Sequence, residues 1–309
     1  GTGVTTIATG SGAVLPSMRA LTLNKSVTFD ILAGTALRTE AAAAFAGSGN
    51  ILKTGGGRLA LNSTIATYTG NITVSQGELN WGASGALGNG TITINDSNTG
   101  STNTNLSSQV GGTLANSIVV ANFGTGNVTL GSFNNTNPGA VIYSGPISLG
   151  RSVFIAATRG NGTIFSGDIS GAGGITKTGV ATLTFNGSKS YTGATAINEG
   201  TLTLGATGSI GNSSVISVAS GATFNVSAVT GGWTLGAAQT LGGSGTVTGN
   251  VTIQGAHTPG NSPGVQTFVN NLAYSGGNST VQWELIGNTT TNTGNTTYDQ
   301  IIVGGNLNF

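Results

Sequence analysis

The chain has few side chains that could perform acid–base, metal or nucleophilic chemistry, and they are dispersed. Glycoside hydrolysis needs two carboxylates that flank one bond. The acidic residues are Asp30, Glu40, Glu78, Asp96, Asp168, Glu199, Glu284 and Asp299. The single histidine, His257, has no acidic or serine motif beside it, so a catalytic triad is unsupported and we expect a surface turn next to Pro259. The absence of cysteine excludes a thiolate nucleophile, a thiolate metal site and a disulfide.

The segment 95–100 resembles the beginning of a calcium-binding loop. An EF-hand loop requires glycine at its sixth position and a bidentate glutamate at its twelfth. Here Gly100 comes one position too early and Ser107 stands where the glutamate is required. We therefore expect no calcium site, no other metal site and no cofactor. Because they are rich in Asn, Thr and Gly, residues 95–105 and 288–297 are interpreted as solvated loops that protrude from the fold.

Two stretches of the chain are nearly the same, at an offset of 124 residues that becomes 123 partway through. The first contains Lys53-Thr54-Gly55, Leu59-Ala60-Leu61-Asn62, Tyr68-Thr69-Gly70 and Gly77-Glu78-Leu79; the second contains Lys177-Thr178-Gly179, Leu183-Thr184-Phe185-Asn186, Tyr191-Thr192-Gly193 and Gly200-Thr201-Leu202. Self-similarity made of short strands and glycine turns is typical of a solenoid, because each unit has to bury its apolar face against a neighbour. We place the first copy at about 50–94 and the second at about 174–218.

Short runs of alternating apolar and polar residues recur along the whole chain. Period-two alternation directs one set of side chains to one face of a sheet, and Thr at the other positions suits an exposed strand. Glycines such as Gly77 and Gly200 accept a positive φ and let the chain turn sharply between strands. Residues 39–45 contain good helix formers, and a short helical insertion or a plain strand suits them equally. The near-verbatim repeat favours a solenoid over an antiparallel sandwich or barrel.

The repeat resembles the autotransporter-associated β-strand repeat, found in the passenger regions of bacterial autotransporters and in related large surface proteins. Residues 174–179 follow that pattern closely, whereas the first copy departs from it at Leu52 and Trp81. The C-terminal segment, with its turn at 259–264 and Tyr-Asp-Gln at 298–300, is similar to the region that follows such repeats. The resemblance is clear over about a third of the chain. It implies a right-handed parallel β-solenoid outside a cell, and it implies no activity.

We therefore predict an all-β fold, a right-handed parallel β-solenoid of roughly a dozen turns with short loop insertions. We expect it to run through residues 1–309 as one domain, with 241–309 as its C-terminal solenoid and assembly segment. Alternation predicts that Leu202 and Leu204 point into the core, while Thr201 and Thr203 point outward. An error of one residue in this register would exchange the two faces.

Composition limits the ligands that the chain is expected to bind. Only 6% of the residues are charged, against roughly 25% in an average globular domain. The net charge is +1 and no basic run exists, so a nucleic-acid partner is not expected. No apolar run approaches the roughly 18 residues of a transmembrane helix. Trp81, Trp233 and Trp283 could form a sugar-stacking platform, but two of them sit in alternating strands, which favours core packing or capping of an end.

Two charged residue types recur at corresponding corners of the repeat. Lys53 and Lys177 occupy the same Lys-Thr-Gly corner, and we interpret them as structural, with the stem covering apolar surface and the ammonium in water. Glu78 and Glu199 occupy nearly equivalent positions beside a corner glycine. Either they form a surface binding position or they are solvated turn residues, and the second interpretation is favoured.

These features predict a non-catalytic structural protein of the bacterial outer surface or exterior, which self-associates end to end into a fibre or matrix. Both ends are strand-forming and lack charge, and open strand edges recruit other chains. Head-to-tail stacking is a heterologous contact that yields an open filament. The residues expected to carry this assembly are Val4, Ile7, Ile301, Ile302, Val303, Leu307 and Phe309.

Two other functions stay open at the level of the sequence. The first is an adhesin passenger that presents loops such as 95–105 to cell-surface glycans or to a host surface. The second is a β-helix enzyme that acts on polysaccharide, which the dispersed acids disfavour.

Overall fold

The structure is a computed structural model that describes residues 5–9, 18–108, 110–132, 139–158, 161–261, 263–277, 279–287 and 297–309. Within these residues the chain contains strands, turns and bends and no helix. Every pair of named strands with a described register is parallel. The prediction of an all-β parallel solenoid of about 12 turns is thereby confirmed.

The chain forms two compact units, Gly1–Ile169 and Ser170–Phe309. The strands of the first unit are β1 (Thr5–Ala8), β2 (Met18–Leu23), β3 (Val27–Asp30), β4 (Ala36–Gly47), β5 (Ile51–Thr54), β6 (Arg58–Leu61), β7 (Ile65–Ala66), β8 (Ile72–Val74), β9 (Gly77–Trp81), β10 (Ile92–Ile94), β11 (Thr104–Ser108), β12 (Gly112–Leu114), β13 (Ile118–Val120), β14 (Val128–Ser132), β15 (Val141–Tyr143), β16 (Ile147–Leu149), β17 (Val153–Ala157) and β18 (Thr163–Phe165). β19 (Ile169–Gly171) begins at the last residue of this unit.

In the first unit, the strands of successive turns of the solenoid, which we call coils, lie in three parallel sheets. The first sheet has the order β1-β3-β5-β8-β10-β13-β16, the second β2-β4-β6-β9-β11-β14-β17 and the third β12-β15-β18. Apart from a register shift between β2 and β4, the described pairs stack without offset, so that Ile92 pairs with Ile72 on one side and Ile118 on the other. All three side chains are buried, and the core is therefore a ladder of like residues.

The second unit has the same construction. Its strands are β20 (Ile175–Thr178), β21 (Thr182–Phe185), β22 (Thr195–Ile197), β23 (Thr201–Leu204), β24 (Val215–Val218), β25 (Thr223–Asn225), β26 (Trp233–Leu235), β27 (Thr240–Gly243), β28 (Thr246–Thr248), β29 (Val251–Ile253), β30 (Ala256–Pro259), β31 (Val265–Phe268), β32 (Leu272–Tyr274), β33 (Thr280–Val281), β34 (Gln300–Val303) and β35 (Leu307–Asn308). The orders in its sheets are β20-β22-β24-β27-β30-β33, β21-β23-β25-β28-β31-β34 and β26-β29-β32-β35.

The predicted faces of β23 are confirmed. Leu202 and Leu204 are fully buried, whereas Thr201 and Thr203 are partly exposed. Leu202 stands in register with Leu183 on one side and Phe224 on the other, and both of these are also fully buried. Burial of each such side chain stabilises the fold by about 1.5–3 kcal/mol before conformational entropy is subtracted.

The segment 39–45, for which a helix and a strand were equally expected, lies within the strand β4. Leu37 pairs with Leu59 of the next coil, and Ala44 pairs with Ile65. Pairing with adjacent strands satisfies the backbone of this alanine-rich segment, so its helix propensity has no consequence.

The loop 95–105 was expected to be solvated throughout, and this is wrong at three positions, Asn95, Thr99 and Thr104, which are fully buried. The strand β11 already begins at Thr104. Asn95 adopts a positive φ of 67° and its amide Nδ2 donates to the carbonyl of Ala121 in the next coil at 2.8 Å. The other predicted loop, 288–297, lies outside the described residues except for its last residue.

Candidate functional site

The corner lysine of the first repeat is enclosed by backbone carbonyls. Lys53 lies in β5 and is fully buried. Its Nζ donates to the carbonyl oxygens of Thr54 at 2.7 Å, Gly55 at 2.7 Å and Gln76 at 3.0 Å. The expectation that the ammonium reaches water is wrong, because the third acceptor comes from the next coil and completes a polar cage inside the corner.

The second repeat builds the same cage. Lys177 in β20 is fully buried, and its Nζ donates to the carbonyls of Gly179 at 2.6 Å, Glu199 at 2.8 Å and Thr178 at 3.4 Å. An ammonium has three N–H donors, so each lysine uses all of them on backbone carbonyls of the corner. The structural interpretation of both lysines agrees with this geometry, which leaves no donor for a substrate.

Burial lowers the pKa of both lysines to about 8. For Lys53 the nearby charges of Asp30 and Glu78 partly oppose the cost of removing the ammonium from water, and for Lys177 the charge of Glu199 does so. A lysine with a pKa near 8 could act as a nucleophile. Here the surrounding coil covers the amine, so the lowered pKa affects stability rather than chemistry.

The corner glycines predicted from the repeat have the backbone conformation that glycine favours. Gly77 has a φ of +73° and Gly200 a φ of +61°. A Cβ atom on Gly77 would lie 2.4 Å from the carbonyl oxygen of Gly57, and one on Gly200 would lie 2.6 Å from that of Val180. Real Cβ atoms do not approach backbone so closely, so the stacked corners leave no room for a side chain.

The two repeated glutamates have different surroundings. Glu78 lies in β9, where its Oε2 accepts from Nε of Arg58 at 2.8 Å and its Oε1 accepts from Oγ of Ser107. Its side chain is 17% exposed, so the interpretation as a solvated turn residue is wrong for Glu78. Glu199 is exposed and its Oε2 accepts from the backbone N–H of Gly179 at 3.0 Å.

The segment that resembled a calcium loop uses its polar groups internally. Asp96 accepts from the backbone N–H of Asn98 at 3.1 Å and from its Nδ2 at 2.9 Å. Ser107, at the position where a glutamate was required, donates to Glu78 instead. Over the described residues, no group of three or more His, Cys, Asp or Glu side chains could hold a metal ion.

The only histidine is part of the core, and its predicted place in a surface turn is wrong. His257 lies in β30 and is fully buried. Its Nε2–H donates to Oε1 of Gln266, and the hydroxyl of Tyr274 donates to Nδ1, each at 2.6 Å. Burial lowers the pKa of His257, with a smaller opposing effect from the hydrogen bond to Gln266. The neutral ring therefore fills the coil as a hydrogen-bonded core residue.

Sequence reasoning did not assign a role to Asp299, although it is almost fully buried. Its Oδ1 accepts from the backbone N–H of Gly264 at 2.9 Å, and its Oδ2 accepts from the N–H of Glu284 at 2.8 Å. A Cβ atom on Gly260 would lie 2.1 Å from Oδ1. The carboxylate thus links the 298–300 segment to the turn at Gly264, a contact that the sequence alone did not predict.

The residues predicted to carry assembly differ in exposure. Ile302, Leu307 and Phe309 are 51%, 46% and 90% exposed, whereas Ile301, Val303 and Ile7 are partly buried. Val4 lies outside the described residues.

We call Trp283, Leu285, Ile301 and Ile302 the C-terminal patch, because they line one open recess of about 660 Å³ with neighbouring polar residues. Trp283 is 54% exposed, whereas Trp81 and Trp233 are buried in the core.

A second depression, the corner groove, lies in the first unit and has a volume of about 840 Å³. It is lined by residues 32–36, 56–58, 77–78, 102–103 and 105. The Arg58–Glu78 ion pair therefore lies at the surface of a groove, and the loop 95–105 contributes one of its walls.

Comparison with known proteins identifies the repeated segment. The family described as passenger-associated-transport-repeat matches residues 51–80 and 175–204. The chain contains two passenger-associated transport repeats. Each transport repeat begins at the strand that carries the caged lysine and ends in the strand at the corner glycine. Each matched segment therefore contains a complete lysine cage. No curated protein and no solved structure gives a significant match to the chain.

The transport repeats confirm the resemblance inferred from the residues. Together with the β-solenoid fold they fit an autotransporter passenger, and they imply a secreted or surface-exposed protein with a structural or adhesive role. The described part of the chain has no helix that is long and apolar enough to cross a membrane.

Proposed function

We propose that this chain is a non-catalytic structural solenoid of a bacterial passenger, and that copies of it associate end to end on the cell exterior into a fibre or matrix. The observation that carries the proposal is the sheet edge formed by the last described strands, where apolar side chains are exposed. β34 and β35 each end a sheet among the described residues, and Ile302, Leu307 and Phe309 are exposed beside that edge.

The geometry of this edge favours a partner of the same architecture. β34 pairs with β31 without offset from Gln300 to Val303, and β35 pairs with β32 in the same way. A further strand that paired with β34 would therefore meet donors and acceptors at the spacing of the interior ladders. Neither β34 nor β35 contains a charged residue, although charges on an edge are the usual protection against pairing.

A second copy of this chain is the occupant that we infer for the edge. Its β1, Thr5–Ala8, pairs only with β3 among the described strands, and it also lacks charge. An edge of this kind adds a parallel strand in register through backbone hydrogen bonds. The C-terminal patch beside β34 would become buried on association, which adds a hydrophobic contribution.

The adhesin function is the second candidate, and a different observation favours it. The corner groove is open and polar, and the loop 95–105 forms part of its wall. A monomeric solenoid that presents this groove would serve attachment without polymerisation.

Electron microscopy and sedimentation of the purified protein over a range of concentrations test the proposal. Fibres that lengthen with concentration are expected, and they should be absent from the double variant Ile302→Lys, Leu307→Lys. Val119→Lys is the matched control, because Val119 is an exposed strand residue in the first unit. A wild-type protein that stays monomeric at high concentration would overturn end-to-end association, and fibres in the double variant would place the contact on another surface.

A further inference from the structure

The corner groove forms because two short corners lie between two long ones in four successive coils. The turns that join the first sheet to the second sheet of the first unit are long at 31–35, short at 55–57 and 75–76, and long again at 95–103. Two long corners therefore project on either side of two tight ones. Gly57 and Gly77 lie at or beside the short corners and have no room for a side chain. The bottom of the groove is therefore formed by backbone.

A row of polar side chains crosses this groove at the register of the coils. Arg58 pairs with Glu78 between β6 and β9, and Glu78 pairs with Asn105 between β9 and β11. Parallel strands lie about 4.8 Å apart, so a guanidinium, a carboxylate and an amide follow one another at that spacing. All three residues line the groove.

The carboxylate in the row is held in place by side chains on both sides. Nε of Arg58 donates to Oε2 of Glu78, Oγ of Ser107 donates to Oε1, and Nδ2 of Asn80 donates to Oγ of Ser107 at 2.8 Å. Asn80 and Ser107 are buried, so they fix the carboxylate from the interior. Among the described residues, the two terminal nitrogens of Arg58 have no hydrogen-bond partner, and its side chain is 37% exposed.

The chemistry of the row selects a neutral ligand with closely spaced hydroxyls. The guanidinium only donates, the carboxylate only accepts and the amide does both, and a hydroxyl can satisfy each of them. The opposite charges of Arg58 and Glu78 largely cancel, so the row offers no net attraction to an anionic or a cationic ligand. Leu32, Ala33 and Ala36 add apolar surface on the wall, against which the C–H face of a sugar ring can pack.

We propose that the corner groove binds a neutral oligosaccharide. The groove is proposed to bind its ligand without cleaving it, because Glu78 is the one carboxylate among the described lining residues and glycoside hydrolysis generally uses two. No aromatic ring is among the described residues that line the groove, so we expect a single site to have low affinity and useful attachment to need many copies on one surface. This site is independent of end-to-end association, since it involves none of the residues at β34 and β35.

The test is binding of the purified chain to an array of neutral oligosaccharides built from hexoses and N-acetylhexosamines, with sialylated and sulfated oligosaccharides on the same array. We expect retention on a neutral member. Ala33→Trp fills the groove from an exposed wall position and should abolish that retention. Ala228→Trp, at an exposed position of the second unit, is the matched control and should bind like the wild type.

A second set of variants tests the row itself. Arg58→Met and Asn105→Ala should each weaken binding of the retained oligosaccharide about tenfold or more. Each change removes hydrogen bonds to the ligand and leaves polar groups without a partner. Circular dichroism and thermal unfolding establish that each variant is folded. Absence of any neutral ligand, a preference for anionic oligosaccharides, or unchanged binding in Ala33→Trp would overturn the proposal.

Discussion

Nζ of Lys53 donates to the carbonyl oxygen of Gln76 at 3.0 Å and thereby joins two successive coils at one corner. Lys177 and the carbonyl of Glu199 make the equivalent contact at 2.8 Å in the second transport repeat. The repeat thus encodes a cross-coil contact through a single residue, and its sequence pattern reflects this contact as well as the alternation of the strands.

Replacement of the caged lysine should destabilise the solenoid. Lys177→Met keeps the length of the side chain but removes the donor from three carbonyls at a partly buried corner, and unsatisfied buried polar groups cost about 1–3 kcal/mol. We expect a loss of that order in the free energy of unfolding, measured by urea denaturation. Lys25→Met, at an exposed lysine, is the control and should change stability little. Equal stability of the two variants would show that the cage contributes nothing.

The lowered pKa of the two lysines predicts that stability rises with pH in alkaline solution. Their pKa is about 8 in the folded protein and about 10.4 in an unfolded chain. Between these values the unfolded state binds more protons, so the free energy of unfolding increases from pH 8 towards pH 10. Urea denaturation at intervals of pH should show this increase in the wild type, and the double variant Lys53→Met, Lys177→Met should lose it.

Above pH 10 the tyrosines should reverse this trend. Burial raises the pKa of four of them, namely Tyr68, Tyr143, Tyr191 and Tyr274. Because an unfolded tyrosine ionises near pH 10, the folded state binds more protons above that pH and stability falls. The lysine measurement is therefore confined to the window between pH 8 and pH 10.

Acid should destabilise the second unit through His257. Its pKa is lowered by burial, so below the unfolded value of about 6.5 the unfolded state binds a proton that the folded state does not. Stability contributed by the neutral ring is present above pH 6.5 and is lost as pH falls below it. His257→Gln should have a flatter pH profile than the wild type between pH 7 and pH 5. Identical slopes in the two proteins would refute a buried neutral histidine.

Substitutions in β23 should separate the two faces of a coil. Leu202→Asp places an unpaired charge in the apolar ladder between Leu183 and Phe224, and we expect it to prevent folding. Thr203→Asp, one residue further on the outer face, should change the free energy of unfolding by about 1 kcal/mol or less. Thermal unfolding followed by circular dichroism checks both variants, and comparable damage from the two would contradict the register.

Much of this fold follows from local sequence. The alternation of Leu202 with Thr203 fixes which side chain is buried, because successive residues of a strand point to opposite faces. The tight corner at Gly77 follows from the repeat, because a turn with positive φ and no space for a Cβ requires glycine. Alternation and the glycine requirement both act within a few residues of the chain. The near identity of the two repeats adds that such units are stacked in a solenoid.

Tertiary structure decided what each polar side chain meets on the next coil. Lys53 becomes buried because Gln76, 23 residues later, supplies its third acceptor. His257 is a core residue whose two ring nitrogens bond Gln266 and Tyr274, on the next two strands β31 and β32. Asp299 reaches Gly264 across 35 residues. The number of residues in each coil decides which polar groups lie opposite one another. Strand alternation does not encode the length of a corner. Only the stacking of the coils therefore determines which polar groups are brought together.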